Sequence, residues 1–150
     1  MRLPALSLCI ALIAGCTQSR PPESVKPAAT AEVWYQQVTA QLVKLVRQAE
    51  VELKRQHPDA ASALITEGQP LINRLLAVPY PSLEAMEAAS DLDHLYASML
   101  LSNRHYGWAR LLFQKNQARW QSWKPTSPNT QRRKAEAQTG IAACDKQLLK

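Results

Sequence analysis

From Glu32 to the C-terminus, apolar residues recur every three or four positions, the period of helices that bury one face. The first such stretch runs from about Ala31 to Gln56, with Trp34, Val38, Leu42, Leu45, Ala49 and Leu53 along its stripe. His57-Pro58-Asp59 ends it and opens the next, because proline suits a first helical turn but cannot continue the helix before it. The second helix spans about Pro58 to Ala77, with Ala61, Leu64, Ile65, Ile72, Leu75 and Leu76 inward. Its stripe keeps phase across Gly68 and Pro70, which predicts one kinked helix and not two. Pro79-Tyr80-Pro81 reads as a stiff extended link. Ser82 then caps a third helix to about Ser102, with Met86, Ala89, Leu92, Tyr96, Met99 and Leu100 inward. A fourth runs from about His105 to Trp123 with Tyr106, Ala109, Phe113, Asn116, Trp120 and Trp123 on its stripe. Continuing the third helix into the fourth would jump the stripe by roughly 130° near Asn103, so the pattern breaks there. After Lys124-Pro125-Thr126, Ser127 caps a last helix with Ala137, Ile141, Cys144 and Leu148 inward.

The prediction is therefore an all-α fold, a small bundle or helical-hairpin array of about five helices joined by short links. Composition agrees: 46% hydrophobic and 20% charged residues make a globular chain, and only 4 glycines leave few of the tight turns an all-β fold needs. Tyr96-Ala97 and Leu100, followed by Tyr106, Ala109 and Phe113, resemble one tetratricopeptide repeat in their spacing. Asn116 stands where that repeat has a small apolar residue, its proline comes late, and no second copy is detectable in the sequence. We read the spacing as ordinary antiparallel helix packing.

The N-terminus is of another kind. One basic residue, Arg2, precedes a short apolar run that ends in Ile13-Ala14-Gly15-Cys16. The run is about 12 residues, well below the roughly 20 of a membrane span, and fits a secretory signal peptide. Its end resembles the lipobox of bacterial lipoproteins at all four positions. That resemblance implies cleavage before Cys16 and acylation of its sulfur (palmitate) and amine. With Thr17 and not Asp next in the chain, it also implies delivery to the outer membrane, lipid-anchored and facing the periplasm. Residues 1–15 are accordingly read as signal peptide, 16–31 as the lipidated cysteine with a flexible, proline-containing tether, and 32–150 as the helical domain. Of the 3 cysteines, Cys9 leaves with the signal and Cys16 is lipidated. Cys144 remains alone, so no disulfide closes within the mature chain and packing must hold the fold.

Catalytic signatures are absent: no phosphate-cradling glycine loop, no His-Glu-x-x-His, no nucleophile elbow. Asp91, Asp93, His94 and His105 are ligand-capable, but their spacing fixes no coordination geometry, so no metal and no cofactor is expected. Glu84, Glu87, Asp91 and His94 lie opposite the apolar stripe of their helix and read as a solvated face. Asp93 falls at the edge of the buried face, where Arg110 is the expected partner.

The formal charge of +6 is unevenly spread. Residues 16–101 carry 7 basic and 10 acidic side chains, residues 102–150 carry 10 and 2. Arg104, Trp108, Lys115 and Arg119 share one side of the fourth helix, and Arg132, Arg133 and Lys134 begin the fifth. Together they form a candidate binding face, basic with an aromatic anchor. The sequence thus reads as a non-enzymatic interaction or scaffold lipoprotein: a membrane contact through its lipid, and a protein partner in the cell envelope. The alternative is a binder of an anionic envelope polymer or nucleic acid through the basic half, with nucleic acid the less favoured of the two.

Overall fold

The computed structural model describes residues 29–150. The expected signal peptide, the lipobox and most of the expected tether lie outside them. The tether's last three residues, Ala29–Ala31, form a 3-10 turn. Five α-helices and no strand follow among the described residues: α1 Val33–Lys54, α2 Pro58–Leu76, α3 Leu83–Ser102, α4 Tyr106–Ser122 and α5 Pro128–Leu148. The all-α class and the helix order agree with the periodicity.

Local chemistry accounts for the boundaries. Ser82 caps α3 by accepting from the Ala85 N–H, and Ser127 with Thr130 closes a reciprocal capping box on α5. Pro58 and Pro128 sit in first turns, where a missing N–H costs nothing. Pro70 lies inside α2, which runs through it unbroken.

Helices touch only their near neighbours in sequence. The α1–α2 and α3–α4 pairs form hairpins, α5 packs on α4, and α3 touches α1, α2 and α5. The even helices α2 and α4 share no contact. The chain is thus a hairpin array, with α1, α3 and α5 side by side in one layer. Its main core joins Tyr35, Leu42, Ala49, Ile65, Ile72, Leu75 and Leu92, and a second cluster joins Ala97, Ala109, Phe113 and Cys144.

The two hairpins turn the same way. Gln56 and Arg104 adopt left-handed φ of 61° and 64° after α1 and α3. In each turn a histidine follows whose N–H closes on the carbonyl five residues back, His57 to Glu52 at 2.9 Å and His105 to Leu100 at 2.8 Å. Both are Schellman ends built without glycine. This shared turn is the internal repeat that the residue pattern concealed.

Several inward positions differ from expectation. Tyr35, not Trp34, is buried, because its hydroxyl accepts from the Ser82 N–H at 3.0 Å and ties α1 to the start of α3. Trp34 lies half-buried under the Arg74 guanidinium, 4.6 Å from its ring centroid. Tyr96 and Leu148 are exposed. On α3 the alanines Ala85, Ala88, Ala89 and Ala97 take the tightest contacts instead, since α3 is enclosed by four helices and small side chains let their backbones approach.

Candidate functional site

The basic face expected on α4 and α5 does not assemble as one surface. Arg119 is buried, its side chain 5% exposed, and donates to Asp93 Oδ2 at 3.0 Å and to Asn116 Oδ1. Lys115 reaches the same Asp93 oxygen at 3.0 Å from the solvent edge. Arg133 donates through Nε and Nη2 to both Asp91 oxygens at 2.8 Å, and through Nη1 to Glu87 at 2.9 Å. These bonds raise the guanidinium pKa above its ordinary value, the hydrogen bond to Asp91 contributing most and burial opposing it. Arg132 pairs with Glu136 one turn along its own helix. Arg104 and Trp108 remain exposed and Lys134 is half-buried. Neither Arg119 nor Arg133 is available to an anionic partner.

The reason is the position of α3. Glu87 and Asp91, read as part of a solvated face, are covered by α5, and Asp93, read at the edge of the buried face, is covered by α4. His94 stands edge-on to the Phe113 ring, 5.5 Å between centroids. Arg110, the expected partner of Asp93, pairs with Asp145 on α5 instead. The α3–α4 seam also holds Asn116 Nδ2 donating to the Ser90 carbonyl at 2.9 Å and Trp120 Nε1 donating to Ser90 Oγ at 2.8 Å. These residues are a structural polar seam that sequence patterning missed, apart from Asn116 and Trp120, because a polar residue at the edge of a stripe gives no periodic signal. Cys144 is buried as expected, and desolvation, ahead of the nearby Asp145 carboxylate, pushes its thiol pKa up. Among the described residues no group of three or more His, Cys, Asp or Glu side chains is placed to hold a metal.

A recess of another kind lies on the first hairpin. A groove of about 910 Å³ runs along α1 beside the start of α2. Ala40, Val43 and Val51 of α1 and Ala60, Ala63 and Leu64 of α2 line it, with Lys44, Arg47 and Arg55 and the carboxylates of Glu52 and, from α3, Glu84 at its edge. Val51 is 42% exposed although it stands on the apolar side of the groove. Glu52 holds Arg55 at 3.3 Å and His57 at 2.9 Å, and these contacts, the His57 hydrogen bond foremost, keep its carboxyl below the usual value. Lys44 and Arg47 carry no ion pair among the described residues. The α1 periodicity does not single out this surface because Ala40, Val43, Arg47 and Val51, spaced 3, 4 and 4, run along the side of α1 away from its buried stripe, with charges interrupting them. Their spacing is the signal that could have found it.

The architecture defines the class as a short array of α-hairpins with one apolar flank left open. No protein-family model matches the chain, and neither a curated protein nor a solved structure does.

Proposed function

We propose that this chain is a lipid-anchored, periplasm-facing adaptor of the outer membrane that docks a protein of the cell envelope and performs no catalysis. The anchor rests on Ile13-Ala14-Gly15-Cys16 and the short apolar run before it. The docking role rests chiefly on the open groove of the first hairpin. Its floor is apolar, and its edge carries three cations against the two carboxylates Glu52 and Glu84. Hairpin arrays are suited to such work, since they present long surfaces that their own core does not need. Polymer binding is the weaker reading, because the basic half spends Arg119 and Arg133 on internal carboxylates.

The test is extraction of the full-length chain from membranes in mild detergent, followed by affinity purification at moderate salt. A defined stoichiometric envelope protein that stays bound, and is lost when Val51→Asp is introduced, is the expected result. Retention only of polyanions that elute as salt rises would overturn the adaptor reading, since that steep dependence marks non-specific charge binding.

A further inference from the structure

The shared turn puts the two hairpins in register, His57 on His105, residues 57 and 105 being 48 apart. In that register Ala49 falls on Ala97, Ala61 on Ala109, Ile65 on Phe113, Gly68 on Asn116 and Ile72 on Trp120, and every one of these residues is buried. The correspondence thus holds in packing as well as in the turn.

Carried to the groove, the same register places Ala40, Lys44, Arg47 and Val51 of α1 on Ala88, Leu92, Leu95 and Met99 of α3. Those four α3 residues belong to the core that α3 shares with α1 and α2. They are the face by which the second hairpin docks on the hairpin before it. Its equivalent on α1 faces outward, since among the described residues only the turn at Ala29–Ala31 precedes α1.

Resting on the adaptor reading, we propose that the α1–α2 groove seats one amphipathic α-helix of an envelope partner, in the place a preceding hairpin would take, with carboxylates along the helix edge. The apolar requirement follows from what α3 receives. Ile65 and Ile72 of α2 lie in the core that it shares, and Gly68 lies so close that a Cβ there would stand 2.5 Å from Leu92 Cδ2. The charge requirement follows from the difference between the faces. Where α3 has Leu92 and Leu95, α1 has Lys44 and Arg47, two cations, unpaired among the described residues, that outnumber what the groove's Glu84 can balance and that carboxylates on a docked helix would complement. Ala60 and Ala63 keep the α2 wall low and allow close approach. A second copy of the chain fits poorly. The opposite end of the array is α5, whose exposed Arg132 and Lys146 would set more positive charge against Lys44 and Arg47.

The test uses the full-length chain in detergent and two synthetic helical peptides. Both carry the α2 apolar pattern (Ala, Ile, Gly, Ile at positions 1, 5, 8 and 12), one with glutamates along the edges and the other with lysines. The glutamate peptide is expected to bind saturably and at least tenfold tighter than the lysine peptide. Lys44→Glu with Arg47→Glu should invert that order, and Ala63→Trp, which fills the groove from an exposed position, should abolish binding of both, with thermal melts confirming intact folding. Equal binding of the two peptides, or binding indifferent to Ala63→Trp, overturns the proposal. Photo-crosslinkers at Gln48 and at Gln138 in living cells separate this site from the wider reading. Crosslinks from Gln48 that map to an acidic-edged helix support both. Crosslinks from Gln138 alone overturn the groove and leave the adaptor standing, and none from either position overturns both.

Discussion

Asp93→Ala is the sharpest test of the polar seam between α3 and α4. The Asp93 side chain is 0% exposed, and its Oδ2 takes both cations, Arg119 and Lys115, while Oδ1 has no hydrogen-bond partner. Lys115 is 48% exposed and can turn to water when the carboxylate is removed. Arg119 cannot, its side chain being 5% exposed, and only Asn116 remains to it. Breaking a buried pair from one side in this way costs about 3–5 kcal/mol, chiefly the penalty of the stranded charge. For a domain of this size that lowers Tm by roughly 12–20 °C. Replacing both partners with apolar residues of comparable volume, Asp93→Val with Arg119→Met, is expected to recover most of the loss, because no charge is then left buried in the seam. Urea and thermal unfolding followed by far-ultraviolet circular dichroism measures all three proteins. A single variant within about 1 kcal/mol of wild type would refute the burial argument. A double variant as unstable as the single one would refute its attribution to a stranded charge.

Other outcomes follow from the packing and the sequence. Gly140→Ala sets a Cβ 2.6 Å from three Phe113 ring atoms and should cost about 1–3 kcal/mol, whereas Gly68→Ala meets the mobile end of Leu92 and should cost less; unfolding in urea ranks the two. Trp108→Ala, at a side chain 69% exposed, should leave Tm within about 2 °C of wild type. Cys144 should label with a thiol reagent only as fast as the domain opens. Its raised pKa gives a contribution present below the unfolded thiol value and lost as pH rises through the folded one, so stability should fall on the alkaline side and Cys144→Ala should flatten that fall. Cys16→Ser should remove the chain from the membrane fraction after a high-salt wash, read by immunoblot of fractionated cells.

Helix number, helix order and most core positions were legible in the sequence because each helix writes its buried stripe at a period of 3.6, as Leu42-Leu45-Ala49 and Ala109-Phe113-Trp120 do. Caps at Ser82 and Ser127 were legible for the same local reason. What the pattern concealed was long-range. Whether Arg119 and Arg133 face water depends on α3 lying between α1, α4 and α5, and a helical wheel for one helix carries no information about its neighbours' charges. The repeat was hidden because its common element is a backbone turn at Gln56 and Arg104, two side chains without chemical likeness. The open groove was missed for a related reason: Lys44 and Arg47 break the stripe that Leu92 and Leu95 complete in α3.

The likeness of the hairpins creates a problem of pairing while the chain folds. With one turn used twice and buried positions in register, α1 and α3 are competing partners for α4 during folding, and crossed pairings are a common failure of repeated units. The polar seam discriminates between them. In a crossed hairpin Asn116 and Arg119 would meet Leu42 and Leu45, the α1 counterparts of Ser90 and Asp93. The Leu42 carbonyl could still receive the amide, but the Arg119 guanidinium and the Trp120 indole N–H would lie in hydrocarbon with no side-chain acceptor, at a cost of several kcal/mol. The correct hairpin alone supplies a carboxylate and a hydroxyl at those places. Asp93 and its neighbours thereby act as an address within the chain, telling α4 which of the two berths belongs to it.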